Sequence, residues 1–156
     1  MDWSKVKQKV ESRFATSLRG RLTINLTRYR KSSADHLYEF WFSFDGRKLH
    51  SVSDGQFYEA VYDRTTGQRA DWDETELATP SGFESKRLVE GSLNLPIDAL
   101  VQHEHPVVRA LGIVDARFGE RRLKMLSVAG EHPIVADLAR LRAQAEGLRL
   151  VGEIAI

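Results

Sequence analysis

The chain has 156 residues, a formal net charge of +1, 42% hydrophobic residues and no cysteine. That length favours a single domain burying about 68–70% of its unfolded surface, and 29% charged with 9% aromatic residues exclude a low-complexity chain. Without cysteine there are no disulfides, thiolate zinc sites, iron–sulfur clusters or thiol nucleophiles. No apolar run approaches the roughly 20 residues of a membrane-spanning helix. Met1-Asp2-Trp3-Ser4-Lys5 lacks the apolar segment of a signal peptide, so the expected location is the cytoplasm, with no membrane partner.

The opening reads as an amphipathic helix. Trp3, Val6, Val10 and Phe14 share one stripe, Lys5, Lys9 and Arg13 line up beside it, and Asp2 or Ser4 is placed to cap its start. Residues 21–30 alternate as a half-buried strand does, with Leu22, Ile24 and Leu26 to one side. Tyr38, Phe40, Phe42 and Phe44 form the apolar side of a second strand, and Asp45-Gly46 after them is the signature of a type I′ hairpin. Lys48–Val52 is the return strand. Over 57–72 a helix capped by Ser53 and Gln56 competes with a hairpin of 57–62 and 68–72; the aromatic content favours the hairpin.

From residue 73 the period changes. Ser81-Gly82-Phe83-Glu84 is a capping box opening a helix that Gly91 would end. Three further segments place a proline just inside a helix, at Pro96, Pro106 and Pro133. In the second, Val107, Leu111, Val114 and Phe118 share a face before Gly119; in the third, Ile134, Leu138, Leu141 and Ala145 do so before Gly147. Residues 148–156 alternate again, as a final strand that pairs in the sheet or across a homodimer through Leu148–Ile156. The expected fold is α+β: an N-terminal helix packed on an antiparallel β-meander, then a C-terminal cluster of short helices and a final strand. Residues 1–156 form a single domain, mainly β with the N-terminal helix over 1–76 and mainly helical over 77–156.

The small net charge hides a strong asymmetry. Residues 1–31 hold Lys5, Lys7, Lys9, Arg13, Arg19, Arg21, Arg28, Arg30 and Lys31 against Asp2 and Glu11, and residues 54–84 hold eight acids against Arg64 and Arg69. Either the basic end meets an anionic partner, or the two segments lie together and neutralise one another.

No catalytic motif is present: no nucleophile elbow, phosphate-cradling glycine loop, dinucleotide fingerprint or H-E-x-x-H. His103-Glu104-His105 cannot chelate one metal from a regular helix, though it could from an extended turn; with a proline following each, N-cap or loop duty is the expected role of His105 and of His132. Asp71, Asp73 and Glu76 supply oxygens for a divalent cation but lack the spacing of an EF-hand, and a solvated acidic loop is the better reading. Two basic clusters are candidate binding surfaces. Arg28-Tyr29-Arg30, with Arg21, interleaves charge and an aromatic as a phosphate-and-base site does. Arg117, Arg121 and Arg122 suit phosphate or carboxylate, unless Asp115 and Glu120 pair with them and pin two helices together.

Trp3-Ser4-Lys5, Ser17-Leu18-Arg19-Gly20-Arg21 and Thr27-Arg28-Tyr29-Arg30, followed by Pro106–Leu111, Asp115, Arg117, Gly119, Arg121-Arg122-Leu123, Leu141-Arg142 and Ala145-Glu146-Gly147, resemble an uncharacterised family of small bacterial hypothetical proteins. Glu120 departs from the basic residue usual there. The resemblance implies a single-domain cytoplasmic protein and brings no activity or cofactor. The reading that follows is a non-enzymatic binding module without a cofactor, acting on an acidic protein or nucleic acid through basic patches; the alternatives are a metal-dependent hydrolase or nuclease and a dimeric interaction subunit.

Overall fold

The computed structural model describes residues 1–30, 36–53 and 81–153. Helix α1 (Trp3–Glu11) is followed by a short 3-10 turn (Thr16–Leu18) and three strands, β1 (Leu22–Arg30), β2 (His36–Phe44) and β3 (Arg47–Ser53). Five helices complete it: α2 (Gly82–Ser92), α3 (Ile97–Val101), α4 (Pro106–Val114), α5 (Glu120–Met125) and α6 (Pro133–Ala145). Among the described residues this is the expected α+β order of helix, antiparallel sheet and helical cluster. The hairpin expected over 57–72 lies outside the described residues. The expected final strand does not form over 148–153, where Leu150 and Val151 turn back; residues 154–156 lie outside the description.

The strands pair antiparallel in the order β1-β2-β3. Leu22, Ile24 and Leu26 stand opposite Phe44, Phe42 and Phe40, and Leu22, Ile24, Phe40 and Phe42 are buried. Alternation puts these side chains on the core face and Thr23, Asn25 and Trp41 on the other. Asp45 and Gly46 take φ of 49° and 80°, as the type I′ turn requires. Strand β3 carries an irregularity: Trp41 pairs with Ser51 but Phe42 with Leu49, leaving His50 as the extra residue at φ 41°. This bulge aims the His50 ring at α6, where Nε2 lies 2.7 Å from Asp137 Oδ2.

Helix α1 buries Val6 and Val10, but it ends at Glu11, and Phe14 belongs to a different structure. Phe14 lies in extended backbone bridged to Asp115, with Ala15 N–H donating to Val114 O at 2.8 Å and Ala116 N–H to Arg13 O at 2.8 Å. The same bridge corrects the expected face of α4. That helix stops at Val114 because Asp115 turns extended, so Phe118 is buried from a loop and Gly119 is the N-cap of α5. Glu11 and Lys7, one turn apart, meet β1 along its outer edge. Glu11 Oε2 accepts from Ile24 N–H at 2.9 Å and Lys7 Nζ donates to Ile24 O at 2.6 Å, an ion pair satisfying the edge backbone as a further strand would.

The helix starts follow their sequence signals with two shifts. Ser81 Oγ accepts from Glu84 N–H at 3.1 Å, and Pro106 and Pro133 open α4 and α6, but Pro96 is the N-cap of α3 rather than its first residue. Gly91 lies inside the last turn of α2. Helix α6 ends in a Schellman motif: Gly147 takes φ 69°, its N–H reaches Gln144 O, and Leu148 N–H reaches Ala143 O at 2.8 Å. Gly82 permits a close approach, since a Cβ there would stand 2.1 Å from Tyr38 O.

Arg142, 2% exposed, joins these pieces. Its Nη1 donates to Ile113 O at 2.7 Å and Asp115 O at 3.0 Å, and its Nε to Glu146 Oε2 at 2.6 Å, placing a cation at the C-terminal end of α4. Replacing it strands buried acceptors. Arg142→Met is expected to cost about 3 kcal/mol, read from the urea midpoint at constant m-value. Gly82→Ala is expected to cost about 2 kcal/mol by overpacking against the β2 backbone; a loss below about 0.5 kcal/mol would show that α2 can move away.

Candidate binding surfaces

The first basic cluster is not one patch. Arg21 precedes β1 and Arg28 stands near its far end, about 23 Å away at the rise of an extended strand. Arg21 is held locally: Nε and Nη2 donate to the two Asp45 oxygens at 3.0 and 2.8 Å, and its guanidinium lies 4.7 Å from the Phe44 ring centre. The hydrogen bonds from Arg21 hold the Asp45 carboxyl below its ordinary range. Arg28 is exposed opposite Tyr38. Tyr29 and Arg30 occupy the last two positions of β1, where only the backbone is described.

Other cations lie on α1 and the turn after it. Trp3 meets Phe40 edge-on at 6.3 Å, and Phe40 faces Leu26, so the N-terminal half of α1 runs beside the Arg28 end of β1. Lys5 and Lys9 are exposed and Arg13 half-buried on that helix and the turn after it. None of Lys5, Lys9, Arg13 and Arg28 has a carboxylate partner among the described residues, whereas Lys7 is paired with Glu11 at 2.7 Å. Described residues 1–30 carry eight Lys and Arg against two acids, and residues 81–153 ten against ten. The lysine stripe of α1 was visible in the sequence at a spacing of four; in the fold it lies on the exposed flank of α1, turned away from Lys7 and β1.

The second cluster is dispersed by its own ion pairs. Asp115, 4% exposed, takes Arg117 through Nε at 3.0 Å and Nη2 at 2.8 Å. This pair is local and pins no helices. Glu120 pairs with Lys124 at 3.0 Å, not with an arginine, while Arg122 reaches from α5 to Asp98 on α3 at 2.9 Å and lies 4.9 Å from the Phe118 ring centre. Arg121 is exposed with no ionic partner among the described residues.

His103, His105 and His132 sit at helix ends. His132 Nδ1 accepts from Ile134 N–H at 3.2 Å, capping α6. His105 occupies the N-cap of α4 without a side-chain cap; its backbone N–H donates to His103 Nδ1 at 3.1 Å, and its ring lies 3.5 Å from Glu104 and 3.7 Å from Glu84. Among the described residues no group of three or more His, Asp or Glu is arranged to hold a metal ion. Asp71, Asp73 and Glu76 lie outside the described residues. Between the two helix starts sits Arg109, a residue the sequence did not single out. Nη1 donates to the carbonyls of His103 and Glu104, both at 2.9 Å, and Nη2 to Glu131 Oε1 at 2.6 Å.

This network sets three pKa values. Burial alone would raise Glu131, but the hydrogen bonds from Arg109 and the His132 N–H, with the charge of Arg109, leave it below its ordinary range. Burial lowers His132, helped by the charges of Arg109 and His50, and burial with the charge of His105 lowers His103. An unfolded histidine takes a proton that the folded one refuses, so stability is complete above pH 6.5 and declines as pH falls below it; the Glu131 contribution is lost below 4.5. His132→Asn, which keeps a capping oxygen, is expected to flatten the upper part of that decline in urea melts; an unchanged profile would remove His132 from the account.

No helix among the described residues is long and apolar enough to cross a membrane. No curated protein and no solved structure matches the chain. The model of the SF0329 protein family matches residues 2–143, a span that takes in the α1 ion pair, the bridge between Phe14 and Asp115, and Arg142 itself. The chain belongs to the SF0329 protein family.

Proposed function

We propose that this protein is a non-enzymatic binding module that takes a polyanionic partner, an acidic protein segment or a nucleic acid strand, on the basic face of its first thirty residues. One observation carries the reading. Within residues 1–28, when the cations used to hold the fold are set aside, Lys5, Lys9, Arg13 and Arg28 are left without a carboxylate among the described residues, on α1, the turn after it and β1. An excess of like charge over one segment raises the local potential and draws a partner of opposite sign. The distribution supports it as well: among the described residues, 81–153 are balanced and the excess sits in residues 1–30, while the acidic segment 54–80 lies outside them. Arg21 serves the hairpin, and Arg117 and Arg122 are engaged by Asp115 and Asp98, so the head of the chain is the first surface to test.

The test uses salt. With four cations neutralising phosphates, the logarithm of affinity for single-stranded RNA should fall against the logarithm of salt with a slope of about −3. Lys5 stands in the first turn of α1, where an acid favours the helix, so Lys5→Glu keeps the fold while reversing the charge. Combined with Arg28→Glu, it is expected to weaken RNA and heparin binding about tenfold or more and to flatten the slope. No retention on heparin at low ionic strength, or retention indifferent to the double substitution, would contradict the proposal.

A further inference from the structure

A cavity of about 230 Å³ opens where α3, α4, α5 and α6 meet the 126–131 loop. Its floor is apolar, made by Val101, Ile113, Phe118 and Val135, of which the last three are buried. Its charged lining is Arg109, Arg122 and Glu131. These three are not equivalent. Arg109 is fixed through its Nη atoms by two carbonyls and by Glu131, whose Oε1 also accepts from His132 N–H at 2.8 Å, and its remaining donor, Nε, is buried without a partner among the described residues and shut off from solvent.

Arg122 is held more loosely. Its partner Asp98 is 72% exposed and Arg122 itself 43% exposed, a solvent-screened pair whose carboxylate can be exchanged for another at little cost. Its guanidinium already lies over Phe118, at the boundary between the apolar floor and water. The volume is below the roughly 300–1,000 Å³ of pockets for drug-sized ligands and suits a single aromatic group or a short branched acyl chain. An apolar floor with one exchangeable guanidinium at its rim is complementary to an apolar body bearing one anionic group.

We propose that this cavity is a binding site for a small amphiphilic carboxylate, its apolar body on Val101, Ile113, Phe118 and Val135 and its carboxylate taking the place of Asp98 on Arg122. The site is independent of the basic head, and neither proposal depends on the other.

The test compares indole-3-acetate with its neutral counterpart indole-3-acetamide, by amide chemical-shift titration of the full chain. Indole-3-acetate is expected to shift the amides of Val101, Val128 and Ile113 with a Kd on the order of 1 mM or tighter, and the acetamide to bind about tenfold more weakly. Arg122 is exposed, so Arg122→Gln retains the fold, as the dispersion of the same spectra verifies. The variant should bind the acetate about tenfold more weakly and the acetamide within about twofold of the parent. Absence of shifts around the cavity at about 10 mM ligand, equal affinity for acid and amide, or an Arg122→Gln variant that binds the acetate as the parent does would each overturn the proposal.

Discussion

Arg142 brings a guanidinium into the interior, 2% exposed, and spends its hydrogen bonds on groups the fold would otherwise leave wanting. The carbonyls of Ile113 and Asp115 lie at and just past the end of α4, where a helix runs out of intrahelical donors. Desolvating an arginine costs several kcal/mol unless its donors are matched, so the side chain is tolerable only when α4 ends where it does. That ending turns Asp115 extended, and the extended backbone receives residues 13–15 as a bridge. The join between the N-terminal segment and the helical half is thus a consequence of where α4 stops.

What faces outward follows from the same join. Once residues 13–15 are fixed, α1 lies along β1 with Val6 and Val10 inward, the Lys7–Glu11 pair on the strand edge, and Lys5 and Lys9 in solvent. One helix therefore closes the core, satisfies the edge backbone of Ile24 and displays charge. On the other side Ile113, whose carbonyl Arg142 holds, gives its side chain to the cavity beside Arg109 and Arg122. The two proposed binding surfaces are separate in chemistry and share this one support.

Much of the fold was legible because it rests on local rules. Period-two alternation found β1 and β2, Asp45-Gly46 found the hairpin and its return strand β3, and Ser81, Pro106, Pro133 and Gly147 marked helix ends where backbone groups need a partner or a positive φ. The misreadings came where a distant segment overrode a local pattern. Phe14 and Phe118 continue the stripes of their preceding helices in sequence, yet the bridge between Phe14 and Asp115 ends both helices early. Over 148–153 the alternation misled for a simpler reason: Gly147 and Gly152 take positive φ and Val151 N–H reaches Leu126 O, so the segment turns rather than extends.

The candidate sites were less legible, because charge in a sequence carries no partner. Arg21 and Arg117 looked available and are engaged by Asp45 and Asp115; Arg142, which entered the sequence reading only through the family resemblance, is buried. Arg109 lies in an apolar helix, and only the carboxylate of Glu131, 22 residues away, reveals its role. The central claim is that the Arg142 join makes the sheet and the helical half one cooperative unit, and native-state hydrogen exchange tests it directly. The amides of Ala15 and Ala116, which form the join, should share one opening free energy with Trp41 in the sheet and Leu138 in α6, and all four should respond alike to denaturant. Exchange of Ala15 and Trp41 through a smaller opening, with Leu138 still protected, would show that the halves separate and contradict the account.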